Sequence, residues 1–340
     1  MSLLPFLDRV LERQDLPASD AERAMSVILS GEASTPQIAA FLVALRMKGE
    51  TAGELIGFAR AMRGRVERVD PELGEETLLD TCGTGGDGAN TFNISTVAAF
   101  VAAGAGARVA KHGNRSISSQ CGSADLLESL GVKIALAPGE MARAIREVGI
   151  GFLFAPALHP AMKHAQPARL ELKTRTVFNI LGPLTNPAGA SAQLIGAPGE
   201  HAAALMAEAL AALGLRRGFV VHGSDGLDEI TTTGPTTLFE VSTGAVTRRT
   251  VTPADFGVDR ARSEDLKGGS REENREIALA VLSGARGPRR DIVLVNASAA
   301  LVAAGKANDF RHGVALAAAS IDSRAAYRKV EDLARFTQAC

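Results

Sequence analysis

Three short segments of the 340-residue chain gather the residue types that hold anions and metal ions. The first is Gly83-Thr84-Gly85-Gly86-Asp87, set directly after the apolar run TLLDT and leading into the polar stretch ANTFNIST. Glycines let backbone N–H groups approach a phosphate, and a helix starting near Asn93-Ile94-Ser95-Thr96 adds the partial positive charge of its N-terminus. A P-loop would need a lysine at an offset where Gly88 and Ala89 stand. Gly83, Gly85 and Gly88 fit the spacing of a dinucleotide fingerprint, but the helix begins several residues too late for one. So many hydroxyls and amides suit a ligand with several phosphate or sugar oxygens. A plain strand–helix turn would use the same glycines.

The second segment is Lys111-His112-Gly113-Asn114-Arg115-Ser116-Ile117-Ser118-Ser119, after the strand-like RVA. Two cations, a histidine, an amide and three serines are concentrated at a strand's C-terminal end, the edge where open α/β sheets bind ligands. Gly122-Ser123-Ala124-Asp125 then opens another helix. The third segment is Asp228-Glu229, just past FVVHG. Adjacent carboxylates suit magnesium, which prefers hard oxygen ligands and is often shared with substrate phosphates. Further along the chain from the first two, Arg169 lies in HPAMKHAQPARLELKTRTVFNILGPLTNPA, where its planar fork could hold a carboxylate.

The elements that would position these groups follow from periodicity. Residues 1–68 are predicted to be helical only. Ser19 with Glu22 forms a capping box, Thr35 is an N-cap followed by Pro36, and Thr51 with Glu54 forms a second box. The charged stretch RGRVERVDPELGEE is read as a linker. Beyond it the apolar runs TLLDT, RVAKH, VKIAL, GFLFA, AQLIGA, GFVVHG and DIVLVNA are predicted strands, separated by amphipathic helical stretches. That alternation implies a mainly parallel sheet. TLFEVSTGAVTRRTV is predicted to be a hairpin around a Thr-Gly turn. Apolar residues make up 46 % of the chain, charged residues 22 %, and the formal charge is −1. This balance excludes a nucleic-acid binder that relies on a basic surface, and no run is long enough for a membrane helix. The N-terminus does not read as a signal peptide, and the three cysteines lack zinc-ligand spacing, so a reduced, cytoplasmic protein is expected.

Taken in order, GTGGDGANTFNIST, KHGNRSISSQCGSADLLESLG, FAPALHPAMKHAQPARLELKTRTVFNILGPLTNPA and GLDEITTTGPT resemble the anthranilate phosphoribosyltransferases, and the likeness runs along nearly the whole chain. The resemblance implies a nucleoside phosphorylase-like phosphoribosyltransferase fold, with a small N-terminal helical domain hinged to a larger α/β domain. Residues 1–68, joined in space by part of 160–190, would form the first, and 76–340 the second. It also implies a homodimer and two substrates, anthranilate and 5-phosphoribosyl 1-pyrophosphate, with Mg2+ at two ions per monomer.

Residue by residue, Gly83, Gly86, Asp87, Thr91, Asn93, Ile94, Ser95 and Thr96 match the family's first phosphoribosyl-pyrophosphate loop. Lys111, His112, Gly113, Asn114, Arg115, Ser116, Ile117, Ser118, Ser119 and Ser123 match the second. Gly83, Asn114 and Arg169 match anthranilate contacts, while Ser95, Asp228 and Glu229 match metal contacts. No catalytic acid or base is assigned, and His112 is given a positioning role. A pyrimidine nucleoside phosphorylase of the same architecture is the rival activity, and a ligand sensor without turnover the rival class. Asp228 to Thr236 also resembles the acidic-pair-then-TTGxT loop of purine-salvage phosphoribosyltransferases, although there the loop follows its strand directly.

Overall fold

The computed structural model describes residues 2–85, 88–116 and 120–340. Short apolar runs bounded by glycine form β1 (Leu78–Gly83), β2 (Arg108–Gly113), β3 (Ile150–Phe154), β4 (Ala192–Gly196) and β5 (Arg217–Gly223). The alternating pair β6 (Thr236–Ser242) and β7 (Ala245–Val251) completes one seven-stranded sheet in the order β3-β2-β1-β4-β5-β6-β7. The first five strands in that order are parallel, and β5-β6-β7 is antiparallel. The mainly parallel sheet and the hairpin are as the sequence patterns imply. β1 and β4 are adjacent in register, which sets Gly83 opposite Gly196 at the strands' C-terminal ends.

Two predicted strands are corrected. VKIAL forms no strand, and DIVLVNA lies inside the helix Pro288–Ala303. That helix is apolar around most of its circumference and packs on the sheet and on the helix Ile94–Gly104, itself almost wholly buried. A continuous apolar run carries no period, so a buried helix and a buried strand look alike in sequence.

Ahead of the sheet lie the helices Leu4–Leu11, Ala18–Leu29, Thr35–Lys48 and Ala52–Arg63. Thr51 and Glu54 form their capping box as expected. The expected Ser19–Glu22 box does not form, because the helix already starts at Ala18 after Pro17 and Ser19 lies inside its first turn. Ser34, not Thr35, caps the third helix through a reciprocal box with Gln37. These helices share one apolar cluster with Ala165, Ala168, Val177 to Leu184 and the helix Glu200–Ala212. Arg63 ties the seam, donating from Nε to the Leu184 carbonyl at 2.7 Å and from Nη1 to that of Leu213 at 3.3 Å. Among the described residues, no helix is long and apolar enough to cross a membrane.

Candidate active site

β1, β2, β4 and β5 each end on a glycine, and the loops that leave them lie across this rim. The turn after β5 brings Asp228 over the ends of β1 and β4. A Cβ on Gly83 would stand 2.4 Å from Asp228 Oδ2, and one on Gly196 would stand 1.5 Å from the Asp228 carbonyl oxygen. Only glycine permits that approach. The Gly85 N–H donates to Asp228 Oδ2 at 2.7 Å, so Gly85 and the acidic pair are in contact. The Ser95 N–H donates to Glu229 Oε1 at 3.1 Å, placing that carboxylate at the positive end of the helix Ile94–Gly104.

Directly after the pair, Ile230 is gripped by a buried amide. Its N–H donates to Asn296 Oδ1 and its carbonyl accepts from Asn296 Nδ2, both at 2.9 Å. Asn296 went unrecognised because it lies in the run read as a strand. Gly196 was also missed, and a glycine closing an apolar strand was the available signal. In the TTTGPT segment, Thr231 and Thr233 donate to Asp225 Oδ2 at 2.6 and 2.5 Å, Thr236 accepts from the Thr231 N–H at 3.0 Å, and Thr232 Oγ1 is buried without a hydrogen-bond partner among the described residues.

The second segment is anchored by a buried aspartate that sequence reasoning did not select. Asp80 Oδ1 accepts from the His112 N–H at 3.0 Å, and Oδ2 accepts from Asn186 Nδ2 at 2.7 Å. Lys111 points back into the sheet, donating to the Thr81 carbonyl at 2.5 Å and toward Ser95 Oγ at 3.4 Å. Burial pushes the Lys111 ammonium down, partly opposed by the nearby Asp80, and the same burial pushes the Asp80 carboxyl up. Arg115 is not presented freely: it pairs with Glu128 at 2.7 Å and Asp125 at 2.9 Å. Asn114 is exposed, and its carbonyl accepts from Ser123 Oγ at 3.2 Å. Thr91 bridges to Lys267. Gly86, Asp87, Ile117, Ser118 and Ser119 lie outside the described residues.

His112 faces a second histidine, His159, with their Nε2 atoms 3.2 Å apart. Burial, and then the neighbouring His159, lowers His112 to about 3; burial lowers His159 to about 4. Both rings are therefore neutral near pH 7, while the unfolded chain titrates them near the ordinary 6.5. The folded state binds fewer protons, so this contribution to stability is full above about 6.5 and declines as pH falls toward the folded values. The slope is about 1.4 kcal/mol per pH unit for each ring. His159→Gln will flatten that decline relative to the parent, as measured by urea unfolding across this pH range.

Arg169, on the helix Gln166–Leu172, is half-buried with its guanidinium 5.3 Å from the Phe178 ring centroid, and burial lowers it from the usual arginine value. Several buried oxygens around the rim have no hydrogen-bond partner among the described residues: Thr84 Oγ1, Asn93 Oδ1 and Thr96 Oγ1. Asp228, Glu229 and the Ser95 side chain offer oxygen donors only. No cluster of three His, Cys, Asp or Glu groups suited to a metal occurs among the described residues. Two carboxylates without a full protein cage fit magnesium, which keeps waters and takes ligands from bound phosphates.

Comparison with known proteins agrees with this geometry. Residues 4–66 match the family model "Glycosyl transferase family, helical bundle domain", and residues 75–327 match "Glycosyl transferase family, a/b domain". The chain is 70 % identical over 336 residues to the anthranilate phosphoribosyltransferase of Solibacter usitatus, covering 99 % of each. It superposes on the crystal structure of the Thermus thermophilus enzyme with a TM-score of 0.92 at 45 % identity, over 98 % of this chain and 99 % of that one. The Saccharomyces cerevisiae enzyme in complex with PRPP and Mg gives 0.90 at 29 % identity, over 99 % and 98 %. The same yeast enzyme with 4-fluoroanthranilate gives 0.87 at 28 %, over 99 % and 98 %. A helical bundle joined to this sheet, an acidic pair braced on its glycine rim, and near-complete coverage of these relatives place the chain in the anthranilate phosphoribosyltransferase family.

Proposed function

We propose that the chain transfers the 5-phosphoribosyl group of 5-phosphoribosyl 1-pyrophosphate to the amine of anthranilate, giving N-(5-phosphoribosyl)anthranilate and pyrophosphate in tryptophan biosynthesis. The observation that carries this reading is the Asp228–Glu229 pair held between the end of β1 and the helix at Ile94. Near it in the chain, Thr84 and Thr96 carry buried hydroxyls without a hydrogen-bond partner among the described residues, which suits a ligand rich in phosphate oxygens. The nitrogen–C1 bond forms as the bond from C1 to the pyrophosphate oxygen breaks, and the amine's surplus proton passes to solvent. Positive charge at C1 is shared with the ring oxygen, while the departing pyrophosphate gathers negative charge. Bound Mg2+, held by Asp228, Glu229 and Ser95 at two ions per monomer, would supply charge neutralisation for that leaving group.

The chain's own residues do the rest. Gly83, Thr91 and Asn93 to Thr96 would line the donor from one side, with Lys111 to Ser116 and Ser123 on the other. The helix starting at Ile94 would add the partial positive charge of its N-terminus near the leaving group, while its Ile94, Ser95 and Thr96 N–H groups donate to Phe92, Glu229 and Asn93. A ring that protonates only near pH 3 is a poor proton acceptor at neutral pH, so His112 serves position and not base catalysis. A neutral aromatic amine needs no strong base to attack. Arg169 and Asn114 would orient the anthranilate carboxylate, and holding amine and C1 together supplies much of the acceleration. We place residues 1–68 with part of 160–190 in one body and 76–340 in the other, and assign the enzyme a homodimeric, cytoplasmic state.

Mixing protein, anthranilate, donor and magnesium should extinguish anthranilate fluorescence. Phosphate-dependent cleavage of thymidine or uridine, with anthranilate untouched, would reverse the assignment. Arg169→Ala should raise KM for anthranilate about tenfold or more, the scale of a charge-assisted hydrogen bond, and change the donor's KM far less. Equal effects on both substrates would move Arg169 out of the acceptor pocket.

A further inference from the structure

We infer that Arg175 is a positioning residue that locks the end of β1 to the helical bundle, keeping the donor-side and acceptor-side halves of the site in register. The inference rests on the proposed reaction and adds a residue that the sequence reading did not select. Arg175 Nη2 donates to the carbonyl of Gly85. The N–H of the same Gly85 donates to Asp228 Oδ2 at 2.7 Å, so one glycine is held by the acidic pair at its nitrogen and by Arg175 at its oxygen. Arg175 is in turn held by its own backbone: its carbonyl accepts from Arg46 Nη1 at 2.8 Å, and the same nitrogen reaches the Thr174 hydroxyl. Arg46 stands in the last turn of Thr35–Lys48 in the bundle.

The hydrogen bonds therefore run in series from Arg46 to the 174–175 backbone, to Gly85 and on to Asp228. The strap begins where Lys173 turns left-handed at φ 46° and ends the helix that carries Arg169. Farther along, the Thr176 N–H donates to Asn179 Oδ1 at 3.0 Å, fixing the strap's other end. A displacement of the bundle would thus be transmitted both to Arg169 and to Gly85. Arginine suits the task because its long side chain reaches a carbonyl far away in the chain while its planar group keeps the donor direction fixed. Among the described residues no carboxylate forms an ion pair with Arg175, so charge pairing does not account for its place.

The test uses the full chain with Arg175→Ala, Arg46→Ala and the double variant. Hydrogen exchange of the free protein is read over residues 80–85, and steady-state kinetics are read with both substrates. Arg175→Ala should speed exchange at the end of β1 about tenfold with an unchanged thermal midpoint, as for a local opening. It should lower kcat/KM for the phosphoribosyl donor about tenfold to a hundredfold, the scale of a small misplacement. Added guanidinium ion should restore part of the loss. Arg46→Ala should reproduce part of both effects, and the double variant should be no worse than Arg175→Ala, because the two residues act in one series. Unchanged exchange, or losses that multiply, would overturn the inference. Faster exchange in a protein whose parent does not consume anthranilate would sustain the lock and overturn the proposed activity instead.

Discussion

Gly196→Ala will lower turnover by about two orders of magnitude or more, the largest loss expected from adding one methyl group to this protein. The added Cβ would stand 1.5 Å from the Asp228 carbonyl oxygen and 2.4 Å from its carbonyl carbon, both backbone atoms that cannot rotate away. Neither side can yield easily. Gly196 sits in the middle of the sheet, paired with Gly83 of β1 and Val221 of β5. The chain just beyond Asp228 is fastened through Ile230 to Asn296. Relief must therefore come by shifting the acidic pair itself, and overpacking of this kind costs about 1–3 kcal/mol in stability. Kinetics over a magnesium titration, with thermal unfolding alongside, would measure both. Gly139→Ala, where a Cβ meets nothing within 4 Å, should behave as the parent. Parental turnover from Gly196→Ala would mean that the acidic pair is not held as described.

Glu229→Gln and Asp228→Asn are the second pair of large effects. Each amide keeps the shape and an acceptor oxygen for the Ser95 or Gly85 N–H, and removes only charge. If these carboxylates hold the metal that neutralises pyrophosphate, each change removes several kcal/mol of transition-state stabilisation, roughly a hundredfold or more in kcat. The apparent magnesium requirement should also move to higher concentration. Each carboxylate is 9 % exposed, and both lie near the buried Lys111 ammonium. Magnesium plus pyrophosphate should raise the parent's thermal midpoint and leave that of the double amide variant unchanged. A variant with normal kinetics and a normal magnesium curve would remove the metal role.

What could be read from the sequence was local. The turn into Ile94, the Thr51–Glu54 box and the β6–β7 hairpin each depend on residues a few positions apart, and each stands where the pattern put it. The supports of the site depend on partners far apart in the chain. Asp80 needs Asn186, His112 needs His159, Asp228 needs Gly196, and Ile230 needs Asn296. No spacing rule marks such pairs. Asn296 was doubly hidden, because its apolar neighbours gave no period to distinguish helix from strand. The Ser19–Glu22 box failed for a smaller reason: Pro17 starts the helix earlier than the capping residues suggested.

The seam fastened by Arg63 has a consequence for biosynthesis. Its acceptors, Leu184 and Leu213, leave the ribosome long after Arg63 itself, and β1 must wait for β4 before its second edge is covered. The nascent amino-terminal helices thus travel with an apolar flank uncovered until well over half of the chain has been made. Such intermediates aggregate readily, so expression of this protein should be especially sensitive to chaperone supply and to translational pausing before residue 213.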